Sequence, residues 1–229
     1  MDYRLVKSAR RKKTISLQVR SGGTVVVRAP LRTSQEEVES FLEEKKAWLR
    51  KMVLEQKERE RTCRGKTFKT GETFLFLGKS YQLQVIKKSD GLDGNGAPLT
   101  FSGGRFILES GEAVKGKTHF ESWYRQKAFD HIMQRSQALS LDLQCFPSRV
   151  RLSDAHRRWG SCSADDRLSI NWRLIMAPPK VIDYVILHEL LHIKEKSHSR
   201  RFWKLMEILM PDYREHRYWL KENGHRLIV

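Results

Sequence analysis

The chain has 229 residues, 39% of them hydrophobic and 31% charged, which is enough apolar material for one larger domain or two small ones. Cys63, Cys145 and Cys162 lie far apart with no C-x-x-C, which excludes a disulfide scaffold and a Cys-rich zinc ribbon, and no apolar run reaches signal-peptide or membrane-span length, so a cytoplasmic protein with no membrane role is expected. The formal net charge of +17 favours polyanionic partners such as nucleic acid or nucleotides, with a solvated basic surface as the plain alternative.

Short strands are expected at Tyr3–Val6, Thr14–Val19 and Thr24–Arg28. Thr14 to Val19 alternates with period two, and Ser21-Gly22-Gly23 supplies the turn that follows. The basic run Lys7 to Lys13 reads as a phosphate contact or a solvated hairpin tip. After Pro30, Thr33 or Ser34 caps a helix with Glu36 and Glu37 in its first turn. Val38, Phe41, Leu42, Trp48, Leu49 and Met52 give it an apolar stripe, and the pattern runs to about Arg61, with a charged later half that projects into solvent. Strands return at Phe74–Leu77, Tyr81–Lys87 and Phe106–Leu108. Gly91, Gly94, Asn95, Gly96 and Pro98 mark a loop, and Gly103-Gly104 a hairpin turn. A second long helix is expected from about Val114 to Leu141, with Phe120, Trp123, Tyr124, Ala128, Ile132 and Met133 on one core-facing stripe.

The pattern defines an α+β protein with a soft boundary near Gly111. Residues 1–111 form a β-rich region with a long helix, and residues 112–229 a helical metal-binding domain with a small antiparallel sheet. In that second part Arg149–Ser153 and Arg167–Leu174 read as strands and Arg158 to Ser163 as a turn or loop. The free edge of Arg167–Leu174 is placed to pair with an extended peptide. Pro179 or its neighbour opens the next helix. Beyond it, Ser199 caps a helix carrying Phe202 and Trp203, and Pro211-Asp212 starts a final one. Lys194, Lys196, Arg200, Arg201 and Lys204 make a basic rim.

The organising stretch is His188-Glu189-Leu190-Leu191-His192. Two histidines four apart on a helix share one face, so both rings reach one ion, while the adjacent glutamate sits beside that ion, where it can take a proton from water. Val185, Ile186, Leu187, Leu190, Leu191 and Ile193 make the helix apolar nearly all round, hence buried, and buried His and Glu need partners that a metal supplies. His198 is the nearest candidate third ligand. A three-His set with one open position suits catalytic Zn2+, with another divalent transition metal as the alternative. Cys162 reads as a small packing residue. Tyr184, one turn before His188, is either a donor to developing negative charge or structural.

Arg158-Trp159-Gly160-Ser161-Cys162-Ser163, Leu168 to Leu174 with Asn171, Asp183 to His192, His198-Ser199 and Phe202-Trp203 resemble the YgjP-like metal-dependent hydrolases, relatives of zincin-type, SprT-like and WLM metallopeptidases. The N-terminal strands and the Phe41 to Trp48 helix match more weakly. The resemblance implies metal ligands at His188, His192 and His198 and a general base at Glu189. It places Arg158 and Asn171 in shared segments, as weaker candidates for substrate or transition-state binding, with a structural role the alternative for Asn171 and simple binding of a carbonyl or phosphate the alternative for Arg158. It leaves two substrate classes open, a peptide or protein and a nucleoside triphosphate, since UTP pyrophosphatase activity has also been attributed to the family. A nucleic-acid-associated protein with a structural metal is the third reading.

Overall fold

The computed structural model describes residues 3–9, 11–20, 23–62, 66–87, 97–155 and 157–229, with the backbone alone at 55–62. The turn expected at Ser21-Gly22-Gly23, the loop through Gly91, Gly94, Asn95 and Gly96, Cys63 and the charged later half of the first long helix lie wholly or partly outside what is described. The architecture is α+β. The chain divides into two compact units, Met1–Arg64 and Gly65–Val229, and Gly111 lies inside the second.

The first unit holds β1 (Tyr3–Ser8), β2 (Ser16–Val19), β3 (Val25–Pro30), α1 (Gln35–Glu44) and α2 (Lys46–Thr62). The sheet order is β1-β3-β2, with β1 parallel and β2 antiparallel to β3. Flanked on both edges, β3 is the most buried strand, and its Val27 and Ala29 pack on Val38 of α1. Ser34 caps α1: its Oγ accepts the Glu37 N–H at 3.1 Å, and the Glu37 carboxylate accepts the Ser34 N–H at 2.7 Å. The single helix expected from Ser34 to about Arg61 is instead two. At Lys45 (φ −94°, ψ 8°) the N–H is shared between the Phe41 and Glu43 carbonyls, so the turn tightens without a Gly or Pro to announce it. From the basic run, Lys7 Nζ donates to the Thr33 carbonyl at 2.8 Å.

The second unit starts with β4 (Thr73–Phe76), β5 (Lys79–Ile86), β6 (Leu99–Ser102) and β7 (Arg105–Glu109), in the order β4-β5-β7-β6. A 3₁₀ turn, Ser110–Lys115, leads into α3 (Gly116–Leu143). Aromatic side chains join this sheet to α3. Phe74 stacks on Phe120 at 3.9 Å, Phe106 packs against Phe120 and Trp123 at 5.0 Å, and the Tyr124 hydroxyl donates to the Leu75 carbonyl. Of the stripe read as core in α3, Phe120, Tyr124, Ala128 and Ile132 are buried and Trp123 is partly buried, while Met133 is exposed.

Next come β8 (Arg149–Ser153), β9 (Gly160–Cys162) and β10 (Arg167–Asn171), in the order β8-β10-β9. Here the fold departs from expectation twice. Arg158 to Ser163 is not only a loop, since Gly160–Cys162 pairs antiparallel with β10. Arg167–Leu174 therefore has no free edge: β10 is central, and its last residues bend into a 3₁₀ turn, Trp172–Met176. A three-residue strand centred on Ser161 was too short to register as a period-two pattern.

That 3₁₀ turn delivers the chain to α4 (Pro179–Lys194), which α5 (Arg200–Leu209) and α6 (Tyr213–Asn223) pack against. The turn between β4 and β5 braces the start of α4. Leu77 N–H donates to the Ile175 carbonyl at 2.8 Å and Gly78 N–H to Met176 at 3.1 Å. Gly78 has φ +79°, and a Cβ there would sit 2.8 Å from Pro178, so only glycine fits. Arg135 of α3 holds Asp183 of α4 in a two-pronged pair, 2.7 and 2.9 Å. Ile182, Ile186 and Leu190 are completely buried, so α4 is anchored on several sides before its histidines are reached.

Candidate metal centre

The last two turns of α4 carry His188, Glu189 and His192, and the short link to α5 carries His198. Ser199 caps α5, its Oγ accepting the Phe202 N–H at 3.3 Å, which fixes the chain beside His198. The three rings converge. His198 Nε2 is 2.9 Å from His188 Nε2 and 3.2 Å from His192 Nε2. Phe202 lies beneath all three, its centroid 4.7 to 5.0 Å from each ring. Trp203 stacks on His198 at 5.6 Å and on Tyr213 at 5.6 Å.

The donor set fits a cation. His192 Nδ1 lies 3.0 Å from the Glu195 carbonyl, which as an acceptor requires the proton on Nδ1 and leaves Nε2 a bare lone pair in the neutral ring. Burial pushes His188 down to about 3, with the neighbouring His192, His198 and Arg217 adding to it. Burial and the same kind of neighbours lower His198. The Nε2 atoms, 2.9 and 3.2 Å apart, are close enough for each ring to offer one ligand atom to a single ion. Those separations are near the ~3.3 Å expected between two nitrogens each ~2.05 Å from one tetrahedral ion. His188 Nδ1 is buried without a hydrogen-bond partner.

Glu189 is 7% exposed. Burial pushes its carboxyl up to about 7, against a backbone hydrogen bond from Cys162 and the charge of Arg158, which pull it down. Strand β9 lies directly on this carboxylate. A Cβ at Gly160 would come within 2.6 Å of Glu189 Oε1, so glycine is required there. The cleft in front, about 310 Å³, is walled by Trp159, Gly160, Tyr184, Val185, Arg217 and Leu220, with Lys221 at its rim.

The sequence candidates separate here. Tyr184 lines the cleft, its ring 5.9 Å from that of His188, and burial raises its hydroxyl pKa, so it keeps its proton. Arg158 lines a neighbouring cavity behind Trp159 and reaches Glu189 only as a charge. Asn171 is not brought to the centre. Its amide donates to the Ala155 and Arg158 carbonyls at 2.8 and 3.3 Å and accepts the Arg173 N–H at 3.0 Å, so it holds the loop before β9. The sequence marks Leu220 as part of the final helix packed on the metal helix but carries no signal for Arg217 and Lys221, which stand one turn apart on the same face of α6.

A buried helix bearing two histidines and a carboxylate, with a third histidine folded over them, forms a group that could hold a metal ion. A family model for the YgjP-like metallopeptidase domain matches residues 13–223, and the chain belongs to that family, whose membership implies a divalent metal. Among solved structures it is similar to the metallopeptidase zymogen of Pyrococcus abyssi abylysin, at 19% identity and a TM-score of 0.36, over 39% of this chain and 93% of that one. The comparison with curated proteins returns no match. Among the described residues no helix is long and apolar enough to cross a membrane.

Proposed function

We propose that this chain is a zinc-dependent peptidase with His188, His192 and His198 as ligands and Glu189 as general base. The observation that carries the reading is the convergence of three imidazole Nε2 atoms, at 2.9 and 3.2 Å, beside a buried carboxylate. When bound, such an ion lowers the pKa of a water from about 16 to about 7 and polarises the attacked carbonyl. Glu189, raised toward neutrality by burial, accepts a proton from the attacking water and returns it to the leaving amine. Tyr184 donates a hydrogen bond from its hydroxyl to the charge that develops on the carbonyl oxygen. An extended peptide is aligned by the outer edge of β9, which is the edge strand of its sheet and lies on Glu189. Trp159, Val185 and Leu220 keep the cleft largely apolar and thin its water.

Metal-loaded protein is expected to cleave unfolded polypeptide, and Glu189→Gln to leave it intact. Intact substrate with the unaltered protein contradicts the reading. A second reading, hydrolysis of a nucleoside triphosphate, draws support from the cationic Arg217 and Lys221 in the cleft. Glu189-dependent release of pyrophosphate from UTP tests it. The +17 charge leaves nucleic acid as a further partner, tested by the salt dependence of binding.

A further inference from the structure

Resting on the peptidase reading, we infer that the cleft selects peptides with a carboxylate next to the scissile bond, and that Arg217 and Lys221 of α6 are the groups that hold it. These two residues stand one helical turn apart and both line the cleft that contains His188 and Glu189. Neither has an acidic partner among the described residues. On the same helix Arg214 pairs with Glu207 at 3.3 Å. Near the site Lys196 pairs with Asp166, Arg135 with Asp183, and Lys180 with Asp212. A chain with a large basic excess leaves many cations unpaired, but these two face a concave surface whose sole acidic lining group is the catalytic Glu189.

Arg217 is also positioned. Its guanidinium lies over the Trp203 ring, 5.1 Å from the centroid, and Trp203 is the ring that stacks on His198. The planar donor fork is therefore held against the wall that carries the third histidine, where a carboxylate can accept from it in bidentate fashion. Lys221, exposed at the rim, supplies a mobile second charge. Between them and the histidines the lining is Val185, Leu220 and Tyr184, an apolar path that suits the methylene stem of a glutamate or the last residue of a chain. A side-chain carboxylate and a C-terminal carboxylate share this chemistry, and the experiment separates them.

The test uses full-length metal-loaded protein, with metal content measured for every variant, and unstructured peptides that differ only by Glu, Gln or Lys beside the cleaved bond. A matched set carries a free or an amidated C-terminus. The Glu189→Gln protein is titrated with the same peptides by calorimetry, so that binding is read without cleavage. The Glu peptide, or the free-acid peptide, is expected to be preferred by about 10- to 100-fold over its neutral twin. In Arg217→Gln the ratio falls toward one, in Arg217→Lys part of it survives, and in Arg217→Glu it inverts toward the Lys peptide. Arg214→Gln on the same helix leaves the ratio where it was. Cleavage without charge preference overturns this inference and leaves the peptidase reading standing. Charge-selective binding without cleavage does the reverse. A uniform fall in kcat for all peptides in Arg217→Gln, with the ratio intact, overturns it in favour of a transition-state role. Binding of UTP with no peptide binding overturns it in favour of a nucleotide.

Discussion

Two polar clusters sit within one unit of this protein, on either side of Trp159, and they are built on opposite terms. In the first, Asn171 and Asp154 are fully satisfied. Asn171 uses both ends of its amide on backbone groups, and Asp154 accepts from Arg125, Arg173 and the Trp172 indole. Burial works against ionisation of Asp154, but those donors outweigh it and hold the carboxyl well below the usual carboxylate range. In the second cluster little is satisfied. Three imidazole Nε2 atoms crowd together, His188 Nδ1 has no hydrogen-bond partner among the described residues, and burial drives Glu189 and His188 toward their neutral forms. A folded chain tolerates such a cluster only where something absent from the polypeptide completes it. The satisfied cluster shapes the loop that carries β9; the unsatisfied one is where the proposed ion would complete the donor set.

The comparison can be broken first at Glu189. Glu189→Gln is expected to lower hydrolysis by about 10²- to 10⁴-fold while raising the melting temperature of the metal-free protein, because it removes a buried charge with no strong partner. Loss of activity together with a lower melting temperature would place Glu189 among the structural groups instead.

The second break uses pH on metal-free protein. The folded pKa of Glu189, about 7, is above its ordinary 4.5, so its share of stability is full below 4.5 and lost as pH rises toward 7. His188 has the opposite sign: its folded value of about 3 is below 6.5, so stability is present above 6.5 and lost as pH falls toward 3. Glu189 is worth at most about 3 kcal/mol and His188 at most about 5 kcal/mol. Between pH 4.5 and 6.5 the two oppose each other, and with His198 and His131 also lowered by burial the unaltered protein gains stability only gently with pH there. Glu189→Gln should steepen that rise, read by thermal melts in matched buffers.

Asn171→Ala tests the satisfied cluster. It strands two carbonyls and one N–H, and should cost about 2 kcal/mol by chemical denaturation. Activity per folded molecule should fall only as far as β9 shifts against Glu189. Smallest of all is Arg125→Ala. Its contact with Asp154 is 39% and 53% exposed on the two sides, so about 1 kcal/mol or less is expected, with activity unchanged.

Much of this was legible in the sequence because helical spacing is a strong signal. The two motif histidines and the stripe through Phe120, Tyr124 and Ile132 follow from period alone. Asn171 was open to either role because a residue inside a shared segment can serve the fold as well as the chemistry, and its hydrogen bonds here all go to backbone groups. The edge strand was missed because three residues around Ser161 carry no pattern. The break at Lys45 was missed because no Gly or Pro marks it. Arg217 was invisible because what matters about it, an aromatic ring beneath and an acid partner lacking, is a property of packing between helices far apart in sequence.

The central claim is that three imidazoles share one divalent ion. Metal-stripped protein titrated with zinc, with elemental analysis of the dialysed product, tests it most directly. One ion per chain is predicted, with His188→Ala, His192→Ala and His198→Ala each losing it and Asn171→Ala keeping it. An ion retained after His198→Ala, or none bound by the unaltered chain, would contradict the account.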